Sequence, residues 1–327
     1  MIIFAMLMIA GIGYALLTAP WFISRVSYRY LQPYLQDFKI SSLHFSAPSL
    51  RWPDTLVLHQ ADFAVEYQGE IYHLFCQKLT LENLLGLRAK QPQLKISVEG
   101  LEYQRNVLGI FGLEGRFFLI FDGTSLTRIE GKFYTKHLKV GRYLFKEMTA
   151  RVKIQHRRFQ ISEIQSYAYG GKVGGEIVVE RKPRPVYVVW LEFMQVDPHA
   201  MHDVNPLIFP NIEGTLQGSL RLTAQADQVD LLDISFAMPA PGAINRNFLE
   251  RLLPFIFETD QKKKLKILAS QQSYFPLDKA FFSINNAQGD ELMMSFKLEN
   301  ERHGLRLRGQ KRIPTKRGLR NFLLNPT

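Results

Sequence analysis

Beyond residue 30, apolar and polar side chains alternate along most of the chain. The clearest run is residues 212–224, in which even positions are apolar or glycine and every odd position is polar. A period of two is typical of a β-strand with one face on a core and the other in water. The pattern recurs at 94–98 and 292–298, and two runs on either side of 156–157 predict a hairpin. Further short strands are predicted at 55–58, 63–67, 138–144, 177–180, 186–193 and 229–236.

Two of the predicted strands share a glycine pattern. Residues 171–179 and 214–222 both read G-x-Φ-x-G-x-Φ-x-Φ, where Φ is aliphatic. The glycines fall on the same face as the aliphatic side chains and leave notches in it. Such notches let a sheet bend or let another group approach the backbone. Two ordinary curved strands of a β-sandwich would give the same pattern.

One region departs from the period of two. Its apolar residues recur at helical spacing over 243–257, and Pro254 should kink or end that helix. Asp260 could cap a second short helix that buries Leu265 and Leu268. The outer face of this second helix would carry Lys262, Lys263, Lys264 and Lys266. We expect the two helices either to cover one end of the sheet or to pack on its face.

The first 23 residues carry no charged side chain. Residues 2–23 would span roughly 33 Å as a helix, at about 1.5 Å per residue, which is enough for a ~30 Å hydrocarbon layer. We predict a permanent transmembrane anchor at 1–24. A cleaved signal peptide and a buried helix are the alternatives, and the lack of a basic segment before the apolar run disfavours the signal peptide. Arg25, Arg29 and Lys39 follow the run, which by charge alone would place the body in the cytoplasm.

The chain is basic overall, with 41 Lys and Arg against 30 Asp and Glu and a net charge of +11. Residues 301–327 hold eight of the basic residues and one acid. We predict a β-rich domain over 25–308, with a helical insertion near 243–270, and a basic tail over 309–327. A basic tail on an anchored protein favours contact with anionic lipid headgroups, although it could equally be a solvated segment. The predicted membrane-surface residues are Lys311, Arg312, Lys316, Arg317 and Arg320.

The sequence contains no constellation typical of an enzyme. Cys76 is the only cysteine, which excludes an internal disulfide, and we expect a buried, inert thiol. His199 and His202 are the best metal candidates, but a metal site needs further ligands that the sequence does not place nearby. Arg151 and Lys153 alternate with aliphatic residues as the wet face of a strand would, so we expect no nucleic-acid partner. We predict a non-enzymatic protein without metal or cofactor.

The anchor, the period-two body and two phrases, Tyr169–Ile177 (YGGKVGGEI) and Ile212–Leu220 (IEGTLQGSL), resemble the AsmA-like bacterial envelope proteins, which include the TamB, YhdP and YdbH types. The resemblance implies an inner-membrane anchor and a body in the periplasm, against the charge bias at the anchor. It also implies a long curved antiparallel sheet, folded like a taco around an apolar groove that binds phospholipid acyl chains. The implied groove lining is Val173, Ile177, Val179, Ile212, Leu216, Leu220, Leu222, Leu292, Met294, Phe296 and Leu298.

Two classes of function follow from this resemblance. The first is a membrane-anchored lipid-binding protein that contributes to phospholipid transport or outer-membrane homeostasis. The second is a scaffolding factor of the cell envelope that docks another envelope protein through a sheet edge or the basic tail. An accessible apolar face favours the first class, and a filled core with an uncovered sheet edge favours the second.

Overall fold

The computed structural model describes most of the chain between residues 39 and 314. The predicted anchor at 1–24 and residues 315–327 of the predicted tail lie outside the described residues. In the part that is described, no helix has the length and apolar character needed to cross a membrane. The described ranges are 39–44, 49–51, 54–67, 70–83, 92–105, 108–122, 125–140, 143–155, 157–180, 182–201, 211–225, 228–239, 242–269, 273–288 and 291–314.

The fold is mainly β, as the alternation predicts, and the strands of its large sheet are antiparallel. The early strands are β1 (Lys39–His44), β2 (Ser49–Arg51), β3 (Thr55–Tyr67), β4 (Glu70–Glu82), β5 (Gln93–Arg105), β6 (Leu108–Asp122), β7 (Ser125–Val140), β8 (Tyr143–Gln155) and β9 (Arg158–Ala168). The later strands are β10 (Gly171–Glu180), β11 (Val186–Val196), β12 (Ile212–Glu213), β13 (Leu216–Gln225), β14 (Gln228–Met238), β15 (Gly242–Asn245), β16 (Tyr274–Leu277), β17 (Lys279–Gln288), β18 (Glu291–Asn300) and β19 (Leu305–Pro314).

The described helices are short. Helix α1 is Arg246–Leu252, a 3-10 turn over Leu253–Phe255 follows it, and helix α2 is Thr259–Ala269. A further 3-10 turn is His199–Met201. Two helices in the predicted region are therefore confirmed, and Pro254 lies in the turn that separates them. Asp260 is inside the first turn of α2 and is not its cap, because the helix already begins at Thr259.

The described residues divide into two compact units. The N-terminal unit contains the residues up to Ile164 together with 178–182, and the C-terminal unit contains 165–177 and the residues from Pro183 onward. In the N-terminal unit, β1 and β3 to β8 are hydrogen-bonded in the order β1-β3-β4-β5-β6-β7-β8. In the C-terminal unit the order is β11-β13-β14-β17-β18-β19, and a small sheet has the order β12-β15-β16.

In the N-terminal unit, buried and half-buried residues change phase along the strands from β3 to β9. They follow a spacing of two, step by three, and then resume the spacing of two. Residues in the left-handed backbone region lie at several of these steps, including Gly112 (φ 62°) in β6 and Glu147 (φ 51°) in β8. A step of three means that the strand contains one extra residue. This insertion is a β-bulge, which bends the strand and changes the face to which the following side chains point. The steps are 58/61, 76/79, 98/101, 110/113, 135/138, 145/148 and 161/164.

The steps lie side by side in neighbouring strands. Leu58 and Ala61 of β3 face Leu79 and Cys76 of β4. Thr135 of β7 faces Met148 of β8, and the residues on the far side of the step, Leu138 and Phe145, also face each other. Aligned steps keep the same face of the sheet apolar on both sides of the bulges.

Two buried side chains donate hydrogen bonds where the strands bulge. The Thr135 hydroxyl donates to the carbonyl oxygens of Phe111 and His137, at 3.0 and 3.1 Å. Phe111 lies within the phase step 110/113 of β6, and His137 lies within the phase step 135/138 of β7. A buried carbonyl without a partner would cost about 1–3 kcal/mol, so the hydroxyl stabilises the bulged pair.

Cys76 holds the equivalent place between β4 and β5. Its thiol donates to the carbonyl oxygens of Lys78 and Glu99, at 3.1 and 3.5 Å, and Glu99 precedes Gly100 (φ 63°) as Phe111 precedes Gly112. Burial raises the pKa of the Cys76 thiol to about 11, because the charged form loses its hydration. The prediction that Cys76 is buried is confirmed.

Two predicted strands are wrong in detail. Residues 212–224 do not form one strand, because the backbone turns at Gly214 (φ 117°) and separates β12 from β13. The predicted strand at 138–144 spans the end of β7 at Val140 and the start of β8 at Tyr143. The predicted hairpin around 156–157 is present, with β8 ending at Gln155 and β9 beginning at Arg158.

Candidate functional site

The sheet of the C-terminal unit has one continuous apolar face. Strand pairing aligns Leu220 with Ile234, Ile234 with Ile284, and Ile284 with Met294. A second row beside the first aligns Gly218, Phe236, Phe282 and Phe296 across the same strands. We call this side of β13, β14, β17, β18 and β19 the apolar face. The residues between these rows, on the opposite face, are mostly polar: Gln217, Ser219, Arg221, Thr223, Asp233, Ser235, Ser283, Asn285, Ser295 and Lys297.

One end of the apolar face is covered by protein, and we call it the capped end. There Phe296 and Leu298 of the sheet join a buried cluster with Leu249 of α1 and Leu265 of α2. The small sheet contributes Ile212, Ile244, Phe275 and Leu277 to the same cluster. The segment after α1 also reaches the last strand, since Ile256 bridges to Gly309 and the Phe257 amide donates to the Arg308 carbonyl at 3.1 Å.

The other end of the apolar face, which we call the uncapped end, has a cluster that contains sheet residues only, as far as the described residues show. Leu232, Ile234 and Leu292 are buried there, and Leu220, Leu222, Phe236 and Ile284 are half-buried around them. The residues of this cluster all belong to β13, β14, β17 or β18. Neither helix and no residue of the small sheet belongs to it.

The predicted lining residues divide between the two ends. Ile212, Leu216, Phe296 and Leu298 lie in the core of the capped end, where side chains of α1, α2 and the small sheet occupy the space above the sheet. Leu220, Leu222 and Leu292 lie at the uncapped end. Met294 packs against the capped cluster while pairing with Ile284 of the uncapped one, so it lies at the boundary.

The three predicted lining residues of β10 are not on one face. Val173 is buried, but Ile177 and Val179 are only half-buried, whereas Val178 between them is buried. The backbone at Gly175 has φ 150°, and the alternation changes phase there. The G-x-Φ-x-G-x-Φ-x-Φ pattern of residues 171–179 therefore does not keep its aliphatic residues on one side of β10.

The glycine notches are filled by neighbouring strands. A Cβ on Gly171 or Gly175 would collide with the Met194 or Trp190 carbonyl oxygen of β11. A Cβ on Gly218 would collide with the Ser235 carbonyl oxygen of β14. The group that approaches the backbone at these glycines is thus the adjacent strand, and the glycines allow the close pairing.

Sequence reasoning missed four apolar residues of the uncapped end, namely Leu232, Ile234, Phe236 and Ile284. The signal was present in the sequence, because Leu232, Ile234 and Phe236 alternate with polar residues, and Phe282 and Ile284 do so in β17. Alternation alone could not predict that β14 and β17 are neighbours. Forty residues lie between the end of β14 at Met238 and the start of β17 at Lys279.

Two predicted membrane-surface residues lie in a strand and not in a tail. Lys311 and Arg312 belong to β19, which continues to Pro314, so the predicted tail boundary at 309 falls inside a strand. Lys311 pairs with Met294 on the apolar face, and its Nζ is 4.7 Å from the centre of the Phe255 ring. Arg312 pairs with Met293, so it lies on the face of the sheet opposite to that of Lys311. Lys316, Arg317 and Arg320 lie outside the described residues.

Candidate metal ligands are dispersed among the described residues. The described residues include no group of three or more His, Cys, Asp and Glu that could hold a metal ion. His199 is one of the predicted metal candidates, and its amide donates to the Asp197 carboxylate at 2.9 Å in a local turn. The other candidate, His202, lies outside the described residues. A cavity of about 340 Å³ lies between α1 and α2, lined by Arg246, Leu249, Glu250, Leu253, Leu265 and Lys266.

Comparison with known proteins identifies no relative. No protein-family profile matches the chain, and neither a curated protein nor a solved structure gives a significant match. The apolar face therefore has to be interpreted from its own residues.

Proposed function

We propose that this protein is a membrane-anchored envelope protein that binds lipid acyl chains on the uncapped end of its apolar face. The observation that carries the proposal is the contrast between the two ends of that face. At the capped end, protein side chains cover the apolar residues. At the uncapped end, Leu220, Leu222 and Ile284 remain half-buried in a cluster of sheet residues alone. A half-buried aliphatic surface of this kind gains free energy when an acyl chain covers it.

The energy of such contacts suits a carrier of acyl chains. Each methylene group removed from water contributes about 0.8 kcal/mol, so a chain that covers a few side chains is held without any charged contact. A headgroup can stay in water while the acyl chain lies on the sheet, and binding then needs no cofactor and no catalytic residue. We therefore propose a non-enzymatic role in phospholipid transport or outer-membrane homeostasis.

The proposed location rests on the apolar N-terminal segment and on the resemblance to AsmA-like envelope proteins. Residues 2–23 would hold the protein in a bacterial inner membrane, and the β-rich body would lie in the periplasm as a curved sheet that forms a groove. The proposed partners are phospholipids. The limited number of strands favours a local collector or chaperone of lipids, or one part of a larger assembly.

Site-specific photocrosslinking in the full-length protein tests the proposal. A benzophenone amino acid would replace Leu222 in one variant and Met294 in another, and the cells would be irradiated before purification. Both side chains are half-buried on the apolar face, so we expect phospholipid adducts on both variants by mass spectrometry. The matched control places the same group at Arg221, which is exposed next to Leu222 on the opposite face of β13.

The pattern of adducts decides the outcome. Adducts at Leu222 and Met294 but not at Arg221 support an acyl-chain site on the apolar face. Equal adducts at all three positions would mean only that the body lies close to a bilayer, and their absence at Leu222 and Met294 would overturn the proposal. Protein adducts at those two positions would favour the scaffolding role instead.

The scaffolding role is the alternative, and the edge strand bears on it. β19 is at the end of the strand order, where an unpaired edge could add a strand from a partner. However, residues 256 and 257 already bond to Gly309 and Arg308 in the middle of that strand. Arg306 and Arg308 are also exposed along it, and charged side chains on an edge oppose strand addition. A sheet-edge scaffold is thus the weaker of the two proposals.

A further inference from the structure

The outer surface of α2 combines positive charge with exposed apolar side chains. The helix has four lysines and one aspartate in the sequence Thr259–Ala269 (TDQKKKLKILA). Leu265 is fully buried and turns the helix toward the core. At about 100° per residue, Lys263 and Ile267 lie on the side opposite Leu265, and Lys266 lies on the flank of the helix between them and Leu265. Each of the three is exposed, and Ile267 has 64% of its surface in water.

A second apolar side chain lies just before this helix. Phe257 is 61% exposed, although its amide is hydrogen-bonded to the Arg308 carbonyl. Phe257 and Ile267 have the highest exposed fractions among the large apolar side chains described. Exposed apolar side chains among lysines are typical of helices that lie in a membrane interface, with the apolar groups in the headgroup layer and the lysines on lipid phosphates.

Positive charge in α2 exceeds the negative charge that could neutralise it within the helix. Lys262 and Lys266 are four residues apart, a spacing at which like charges destabilise a helix by about 0.2–0.5 kcal/mol. Asp260 is the only acid within α2, and no ion pair joins any of the four lysines to an acidic residue in the described part of the chain. A cluster of positive charge with few acidic neighbours is better explained by a partner of opposite charge.

We propose that α2 and Phe257 form a docking surface for an anionic phospholipid bilayer. Lys263 and Lys266 would contact the lipid phosphates, and Ile267 and Phe257 would enter the headgroup layer. Ile267 lies on the side of α2 opposite Leu265, and the exposed Phe257 precedes the helix by two residues. This surface is distinct from the uncapped end, so the proposal does not depend on acyl-chain binding by the apolar face.

A single reporter on α2 tests the proposal in the full-length protein. Ile267→Cys would be labelled with the environment-sensitive fluorophore NBD, in a Cys76→Ser background so that position 267 carries the only thiol. The protein would be reconstituted in nanodiscs of phosphatidylcholine alone, or of equal parts phosphatidylcholine and phosphatidylglycerol. We expect a blue shift and an intensity increase in the anionic nanodiscs, and their loss at high salt, because salt screens exposed charges.

Two matched variants complete the design. Asn247→Cys, labelled in the same way on the exposed surface of α1, should show no response to lipid charge. Adding Lys263→Ser and Lys266→Ser to the Ile267→Cys protein should weaken the contact roughly 30-fold, at about a factor of five per basic residue near an anionic surface. Circular dichroism of each variant checks that α2 remains folded.

Three results would overturn the proposal. The first is an unchanged spectrum at position 267 in anionic nanodiscs, which would leave a protein or solvent as the neighbour of α2. The second is an equal response in neutral and anionic nanodiscs that salt does not reduce, because proximity through the apolar N-terminal segment would explain it. The third is a response that survives the double lysine substitution unchanged.

Discussion

Cys76 and Thr135 perform the same task at two places in the N-terminal unit. Each is buried, and each donates to one carbonyl two residues ahead on its own strand and to another on a neighbouring strand. The carbonyls face the interior because the strands bulge at those points, and an unsatisfied carbonyl there would be costly. A small side chain with one donor meets the need, whether the donor is a hydroxyl or a thiol.

The thiol gives a prediction for the pH dependence of stability. Burial raises the pKa of Cys76 from its ordinary 9.0 to about 11, so in alkaline solution the thiol ionises more readily in the unfolded chain. Its contribution to stability is complete below pH 9 and decreases as the pH rises toward 11. We expect the free energy of unfolding, from urea titrations, to fall more between pH 8 and pH 10.5 in the native protein than in Cys76→Ala.

The difference between the two proteins isolates the thiol, because tyrosines and lysines titrate in both. Equal decreases in the native protein and in Cys76→Ala would contradict the assignment. The sequence alone predicts a buried thiol here from the apolar stretch around it. It could not predict the hydrogen bonds, because these depend on the register of β4 with β5.

Strands of the N-terminal unit are long because bulges keep their apolar residues on one face. Alternation alone predicts two short strands at 55–58 and 63–67, since the phase changes between them. The structure has one strand, β3, with Gln60 in the left-handed region at φ 50°. A step of three between apolar residues thus indicates a bulge as readily as a strand end, and only pairing with a neighbour distinguishes the two.

The bulge in β8 gives a prediction with an unusual sign. Glu147 is exposed and has φ 51°, a conformation that costs a residue with a Cβ about 1 kcal/mol. Glu147→Gly should therefore leave the protein equally stable or raise its free energy of unfolding by up to about 1 kcal/mol. The control is Thr149→Gly, at an exposed position of the same strand without a positive φ, which should be destabilising by about 1 kcal/mol.

Equilibrium denaturation of both variants checks this pair. Equal destabilisation by the two glycines would mean that Glu147 is not in the left-handed region. Glu163 is a poorer choice for the test despite its φ of 55°, since its carboxylate is 3.2 Å from the Arg151 guanidinium and the substitution would remove that ion pair as well.

The helices were easier to predict than the strands around them. Helical spacing of apolar residues over 243–257 and the position of Pro254 are local signals, and both helices are present. Residues 212–224 gave the opposite result, because perfect alternation continues through Gly214 while the backbone turns there. Ile212 and Leu216 therefore lie in the capped core, among side chains of helices that come from a later part of the sequence.

Across the C-terminal unit, the capped and uncapped ends should serve different purposes. The capped end has the large, fully buried side chains, such as Phe275, Phe296 and Leu265, that stabilise a fold. At the uncapped end Leu220, Leu222 and Ile284 are half-buried, so each contributes less to stability than a fully buried side chain. Stability and binding are thus expected to respond to different substitutions.

A pair of leucine substitutions tests this separation. Leu298→Ala, in the capped core, should lower the free energy of unfolding by about 2–5 kcal/mol, since Leu298 is fully buried and a cavity would remain. Leu222→Ala, at the half-buried end, should cost about 1 kcal/mol. Native lipid co-purified with each folded protein should decrease for Leu222→Ala and be unchanged for Leu298→Ala. The reverse pattern would contradict the separation.

The strand order also determines when each part of the molecule can be completed. From β3 to β8 every strand pairs with the next one along the chain, so each hairpin can form as soon as its second strand is made. The order of the C-terminal unit differs at two points. β11 pairs with β13, with β12 between them in sequence, and β14 pairs with β17, with β15, both helices and β16 between them. During synthesis, β14 must therefore wait with one edge unpaired until the covering segment and β17 have followed. We expect this interval to be the stage at which the growing chain is most exposed to aggregation or to capture by a chaperone.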